Sequence, residues 1–190
     1  MLDRHEASDA DDSRYLARGP RVAIRAVTRE DGAEFTRLVR ASAELHHPWL
    51  SMATTDAGFA TYLDRLESGP HLGLLVCLPE AGDGIAGFVN LNNIVRGGFQ
   101  SAALGYGAFA STAGRGYLRE GLGLVLDYAF GPLGLHRLEA NIQPGNAPSI
   151  ALVKRHGFRL EGFSPDFLFI DGAWRDHERW AVTAEMRARP

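Results

Sequence analysis

Two stretches of the chain carry residue types at spacings that can do chemistry. The first runs Gly105-Tyr106-Gly107-Ala108-Phe109-Ala110-Ser111-Thr112-Ala113-Gly114-Arg115-Gly116-Tyr117, a strand pattern that passes through a glycine-bearing loop into an amphipathic helix. The first N–H groups of a helix have no intrahelical acceptor, and the aligned peptide dipoles add partial positive charge there, so the segment reads as an anion cradle. Gly114 and Gly116 allow a pyrophosphate to reach the backbone with no Cβ in the way. Arg115 and Arg119 add charge. No Gly-Lys-Ser/Thr follows, so this is not a P-loop, and the third glycine spacing and acidic partner of a dinucleotide fingerprint are missing. The same glycines would also serve a plain tight turn between strand and helix.

The second stretch, Leu138-Glu139-Ala140-Asn141-Ile142-Gln143-Pro144-Gly145-Asn146-Ala147-Pro148-Ser149, is again strand, turn and helix, and closes at His156-Gly157-Phe158. Asn146 is placed to cap the helix, with Ser149 at its third position. Pro148 suits the first turn. Glu139 and Asn141, two apart, share one strand face.

The elements that position these residues follow from periodicity. Arg21–Val27 alternates as a strand, and Thr28 with Asp31 forms a capping box for a helix whose inward stripe is Phe35, Leu38, Val39, Ser42 and Leu45. His46-His47-Pro48-Trp49 ends it, and a second helix covers about 55–67. From residue 71 the period becomes two, giving strands at 71–78, 84–95 and 100–109. A helix over about 114–130, a strand at 136–142, a helix at 147–156 and two closing strands with a turn at Asp171-Gly172 complete the order β αα βββ α β α ββ. That order predicts an α/β (α+β) fold, a single mixed sheet of about seven strands with helices on both faces. Residues 1–20, rich in Asp, Ser and Arg, read as a flexible tail ahead of a single domain over 21–186.

Composition narrows the function classes. The chain has 190 residues, 45% of them hydrophobic and 23% charged, and a formal net charge of −3. With no Lys/Arg stripe, nucleic acid is not an expected partner. A single cysteine, Cys77, excludes an intrachain disulfide and a cysteine zinc site, and its apolar surroundings predict an inert buried thiol. His46 and His47 find no partner set, so no metal is expected. No apolar run is long enough for a membrane span, and the N-terminus lacks the apolar core of a signal peptide, so a cytoplasmic location is expected.

Gly-x-Gly at the opening of one helix, followed by Asn-x-x-Ser and Gly-Phe around the next, resembles the GNAT acetyltransferase superfamily. The tail Glu161-Gly162-Phe163 with Asp166-Phe167-Leu168-Phe169-Ile170-Asp171-Gly172-Ala173-Trp174-Arg175-Asp176-His177 is similar to its RimJ/RimL branch, the ribosomal-protein N-terminal acetyltransferases. The likeness runs from about Arg21 to Ala184. It implies a GNAT fold with a splayed central parallel strand pair and acetyl-CoA as the acetyl donor, entering the splay and leaving as CoA. It implies main-chain contacts from Ala108 and Phe109 to pantetheine, and from Gly114, Arg115, Gly116 and Tyr117 to the pyrophosphate. Asn146 and Ser149 would face the thioester, with Ser149 protonating or hydrogen-bonding the leaving thiolate, and an N–H near Ala108 would hold the oxyanion. Three positions depart from the family pattern. Ser111 stands where Gln or Arg is common, Asn141 where many relatives place a catalytic glutamate, and Val153 where many use a tyrosine as acid. Glu139 could then act as base through a water.

An α-amine has a pKa near ~7.7–8.0 and a lysine amine near ~10.4, so far more α-amine is free at neutral pH. A site without a strong base therefore suits a protein N-terminus. A small amine is the alternative acceptor, and a non-catalytic acetyl-CoA sensor the alternative class. Trp49 and Tyr106 are the expected acceptor contacts. Asp176 and His177 are expected to be structural, bonding an adjacent strand or the turn at Gly172. A monomer or homodimer is expected.

Overall fold

Alternating apolar side chains between tight turns build one eight-stranded sheet in the order β1-β2-β3-β4-β5-β6-β8-β7. The structure, a computed structural model, describes residues 13–188. The strands are β1 Ala17–Arg18, β2 Ala23–Ala26, β3 Leu72–Leu78, β4 Gly84–Val95, β5 Ser101–Ala108, β6 Arg137–Ile142, β7 Arg159–Ile170 and β8 Ala173–Thr183. Every neighbouring pair is antiparallel except β5 with β6. The helices are α1 Gly32–Ala41, α2 Ala43–His46, α3 Asp56–Ser68, α4 Tyr117–Phe130, α5 Ala147–Arg155 and α6 Ala184–Ala188.

Side-chain alternation gives the sheet two apolar faces. One carries Leu74, Val76, Leu104, Leu138 and Trp180 and packs against Leu122, Val125 and Leu126 of α4 and Val153 of α5. A Cβ on Gly121 would lie 2.5 Å from Val76 Cγ2, so glycine is what lets α4 sit this close to the sheet and start at the end of β5. The other face carries Leu75, Cys77, Phe88 and Phe109 against Phe35 of α1 and Phe59 of α3. The helices on that face cover only the β3–β5 side. Over β6, β8 and β7 the face is left for a cleft.

The capping box at Thr28 is present: the Asp31 carboxylate accepts the Thr28 N–H at 2.7 Å. It opens a 3₁₀ turn, Arg29–Asp31, that leads into α1. The expected seven strands become eight, and the extra one lies in the stretch expected to be tail. Residues 1–12 of that stretch fall outside the described residues. From Tyr15 onward it is anchored: Leu16 N–H donates to Ile24 O at 2.8 Å, and the Tyr15 hydroxyl donates to Asp83 at 2.5 Å. A two-residue strand is too short to show a period, which is why composition alone read as tail.

One feature of the sheet organises the rest. Pairing between β5 and β6 runs from Ser101 opposite Arg137 to Leu104 opposite Ala140 and stops there. Beyond that point β5 continues to Ala108 beside β4, and β6 to Ile142 beside β8. The two parallel strands part into a wedge.

Candidate active site

Strand alternation decides which backbone groups face the wedge. Gln100 O accepts from His136 and Arg137 on the β6 side, while Phe109 N–H donates to Ala86 O on the β4 side. Successive residues point opposite ways, so the N–H and C=O groups of Tyr106 and Ala108 point into the wedge. The Ala108 carbonyl is closed by His46 Nε2–H at 2.8 Å. Ala110 N–H donates to Ser42 Oγ at 2.9 Å. Two residues ending the first helical segment therefore fix the end of β5 and leave the Ala108 N–H as its donor into the wedge. Nothing in the sequence marked Ser42 or His46 for this, because both contacts span more than 60 residues.

Phe109 does not fit the role expected for it. Its ring is fully buried, its N–H is bound to Ala86, and its carbonyl accepts from Thr112 and Ala113. Its neighbour Ala108 alone offers a main-chain group.

Past β5, Gly114 and Gly116 take φ values of 77° and 80°, conformations that L side chains rarely adopt. Gly116 caps α4 without a side-chain bond to the helix. The amides of Gly114, Gly116 and Tyr117 find no main-chain partner among the described residues, while Arg115 N–H reaches Thr112 O at 3.4 Å. Arg21, which the sequence did not single out, stiffens this loop: its Nη1 donates to Arg115 O at 3.2 Å, and its guanidinium lies over the Tyr117 ring at 5.1 Å. A second groove of about 530 Å³ continues from there, lined by Arg21, Arg119, Glu120, Arg155 and His156. Glu120 adds little negative charge to it, being bound by Arg21 at 2.8 Å. Three arginines beside a run of free amides fit a phosphorylated nucleotide.

Across the wedge, Asn146 caps α5 by accepting the Ser149 N–H at 3.2 Å. The Ser149 side chain is therefore fixed at the first turn, and its Oγ stands 2.6 Å from the Tyr106 hydroxyl. Burial pushes the Tyr106 phenol up to about 12, with the Ser149 bond opposing. Val153, by contrast, is fully buried in the core and offers no hydroxyl.

The cleft over β6 and β8 is about 640 Å³. Glu139 and Asn141 line it from β6, Gln143 from the turn that follows, His177 and Arg179 from β8, and Trp49, Leu50 and Met52 from the loop after α2. Asn90, Asn92 and Asn93 extend it along β4. Glu139 reaches the expected face but is held on both sides, by Arg137 at 2.9 Å and Arg179 at 3.1 Å. Both of its oxygens are thus taken up by guanidinium groups. Asn141 Oδ1 is buried and has no hydrogen-bond partner among the described residues. Trp49 is half-buried, packs over Gly145, and has its carbonyl bonded by Gln143 Nε2 at 3.4 Å. Asp176 is structural as expected, accepting Asp166 N–H across the hairpin at 2.9 Å. His177 is not at a turn: it is 1% exposed and lines the cleft. Cys77 is buried, and burial pushes its thiol up to about 12. No described helix is long and apolar enough to cross a membrane.

A splayed parallel pair ahead of a glycine-framed helix N-terminus defines a class of acyl-transfer folds, and residues 21–159 match the acetyltransferase (GNAT) domain family. The chain belongs to that family. It is 37% identical over 123 residues to a probable N-acetyltransferase, YjcK, of Bacillus subtilis, covering 64% of this chain and 66% of that one. It is 40% identical over 99 residues to the [ribosomal protein uS5]-alanine N-acetyltransferase of Escherichia coli, covering 52% of this chain and 51% of the relative. The chain thus spans about half to two thirds of these curated relatives. Among solved structures, Mycobacterium smegmatis RimJ in complex with CoA-disulfide superposes with a TM-score of 0.81 at 31% identity, over 88% of this chain and 84% of that one.

Proposed function

We propose that this protein is an acetyl-CoA-dependent N-acetyltransferase that passes the acetyl group directly to the α-amine of a protein N-terminus. The observation that carries the reading is the wedge, where β5 and β6 stop pairing at Leu104 and Ala140 although both strands run on. Its open end at Ala108 lies one short turn before the free amides around Gly116. Acetyl-CoA, when bound, supplies an acetyl group activated as a thioester. The Ala108 N–H, fixed by the His46 and Ser42 contacts, is the donor for oxygen charge that develops at the carbonyl. The Ser149 hydroxyl, backed by Tyr106, serves the departing sulfur. The amides of Gly114, Gly116 and Tyr117 hold the pyrophosphate, and Arg119 and Arg155 face the nucleotide end.

The acceptor follows from the charge of the cleft. Among the described residues lining it, Glu139 is the only acid, and it is neutralised by two arginines. A polyamine would need uncompensated carboxylates. Much of the remaining polar lining is amide: Asn90, Asn92, Asn93, Asn141, Gln143 and Asn146 suit the N–H and C=O groups of an extended peptide. The similarity to the uS5-alanine acetyltransferase supports the same acceptor class. Catalysis in a cytoplasmic setting, as a monomer or homodimer, is consistent with this reading.

Thiol release from acetyl-CoA tests it, with peptides bearing a free N-terminal Ala or Ser, the same peptides N-blocked, and a panel of small amines. Turnover confined to free N-termini is the expected result. Turnover confined to small amines overturns the acceptor assignment, and tight acetyl-CoA binding without any turnover overturns the enzyme assignment.

A further inference from the structure

Glu139 is engaged on both sides and Asn141 cannot take a proton, so the residues expected to serve as base leave that role empty. His177 meets its requirements. It lies on β8 one residue beyond the last β6–β8 pair, Ile142 with Glu178, and on the same face as Asn141 and Arg179. Its Nδ1 lies 2.8 Å from Arg175 O. A carbonyl only accepts, so Nδ1 carries the hydrogen and Nε2 is the nitrogen with a free lone pair. Nε2 makes no hydrogen bond to the described protein, and the ring lines the cleft. Phe167 of β7 packs edge-on against it at 5.9 Å, holding the ring plane.

A second observation lies beside it. Asn141 Oδ1, in the same cleft, is a buried acceptor with no donor among the described residues. Arg179 opposite it has a free Nε, but its Nη2 is drawn to Glu139 and its plane rests on Phe167 at 4.5 Å. A lone-pair nitrogen and an orphaned carbonyl oxygen on one face are two acceptors where an amine brings N–H groups.

We infer that His177 Nε2 is the proton acceptor for the incoming amine and that Asn141 Oδ1 accepts a second N–H to orient it; this rests on the acetyl-transfer reading above. As nitrogen bonds to the thioester carbonyl carbon, its surplus proton passes to Nε2. The carbonyl re-forms as the C–S bond breaks, the sulfur takes the Ser149 proton, and the imidazolium's proton returns through solvent to the Ser149 oxygen. Amine and thioester become amide and thiol, with no net proton change. Burial holds His177 below the ordinary imidazole range, with the Arg175 carbonyl and Asp176 opposing and Arg179 assisting, so the ring is neutral at neutral pH. Facing it elsewhere are uncharged groups: Asn141 on β6 and Gln143 just beyond it, Ser164 and Phe167 on β7, and Trp49 across the cleft. Glu139, further along β6, is closed by its two arginines.

The test is the pH profile of kcat/KM with two peptides, one starting with Ala and one with 3,3,3-trifluoroalanine, whose α-amine is much less basic. With Ala the amine's own ionisation, near ~7.7–8.0, lies above that of His177 and sets the acidic limb; with trifluoroalanine the amine is free well below neutral pH, and the limb that remains reports His177. His177→Asn keeps a donor for the Arg175 carbonyl and removes Nε2. It is expected to abolish the limb seen with the trifluoroalanine peptide and lower kcat/KM by roughly 10²-fold or more, with the acetyl-CoA Kd changed by less than about twofold in calorimetry. In the wild type, nitrogen NMR should find Nε2 unprotonated at neutral pH and shifted when peptide binds without acetyl-CoA. A limb with the trifluoroalanine peptide that survives in His177→Asn, or a His177→Asn enzyme within about threefold of wild type, overturns the assignment while leaving acetyl transfer intact. Absence of turnover by the wild type overturns the acetyl-transfer reading first.

Discussion

The Tyr106 hydroxyl and Ser149 Oγ lie 2.6 Å apart, joining the splayed end of β5 to the first turn of α5 across the mouth of the wedge. Each reaches the other because its own element is fixed: Ser149 by the Asn146 cap, Tyr106 by packing into the core. If the pair delivers one proton to the leaving sulfur, the two residues act as a unit. Ser149→Ala should lower kcat by roughly 10²-fold, within the range for a lost general acid. Tyr106→Phe removes a single supporting hydrogen bond and should cost only roughly tenfold. The double variant should be no slower than Ser149→Ala, since effects within a unit are not additive. Steady-state kinetics with the acetyl-CoA KM unchanged would establish the relation. Full additivity would mean independent roles.

The glycine loop makes a separable prediction. At Gly114 an added Cβ would meet nothing within 4 Å, so Gly114→Ala strains only the backbone, whose φ is 77°. A left-handed conformation costs a non-glycine residue about 1–2 kcal/mol. Relaxation of the loop would misalign the amides, and the Kd for CoA should rise roughly tenfold by calorimetry. Gly116→Ala adds contact with Arg21 Nη2 at 3.4 Å, so its effect on CoA should be at least as large. Neither should alter the acceptor KM.

The sequence was informative where function depends on consecutive residues. The strand–glycine–helix segment, the Asn146 cap and the order of elements were all legible, because period, capping and left-handed glycines are local properties. What was not legible depends on register. Whether Glu139 is a free carboxylate or a neutralised one depends on Arg179, opposite its neighbour Asn141 on β8. Whether His177 faces the hairpin turn or the cleft depends on the phase in which β8 pairs with β6. A one-residue slip would reverse both answers. Phe109 illustrates the same limit from the other side. It adjoins Ala108, but alternation turns its backbone to β4 and commits it to Ala86.

Stability in acid should depend on Arg25 and Asp31. They form an ion pair at 2.6 Å with both side chains largely buried, and Asp31 also caps the turn before α1. Burial by itself would raise the Asp31 carboxyl, but the Arg25 guanidinium and the Thr28 N–H outweigh it and hold the group below its ordinary value. A depressed carboxylate stabilises the fold fully above its unfolded-state pKa, near ~3.9, and loses that contribution as pH falls through the folded value. Asp31→Asn should therefore destabilise the protein at neutral pH by about 3 kcal/mol, the scale for breaking a buried pair. It should also flatten the acid limb of stability below about pH 4. Urea unfolding followed by circular dichroism across the acid range measures both. A variant with a wild-type acid limb would show that other carboxylates control it.

Trp49 gives the acceptor side its own test. Its ring packs over Gly145 in the turn between β6 and α5, where a Cβ would come within 3.2 Å of the indole. Gln143, on that turn, bonds the Pro48 and Trp49 carbonyls at 3.3 and 3.4 Å. The loop over the cleft is thus seated on the elements that carry Asn146 and Ser149, yet it touches neither the glycine loop nor the arginine groove. Trp49→Ala should remove apolar contact from the acceptor cleft while leaving the CoA groove as it was. Loss of an aromatic wall costs about 1–2 kcal/mol, so the KM for a peptide acceptor should rise roughly tenfold with the acetyl-CoA KM within about twofold. Gly145→Ala, which pushes the indole without deleting it, should move the same constant in the same direction by less. A rise in both KM values would mean that the loop holds the wedge closed as well, and the acceptor role of Trp49 would have to be given up.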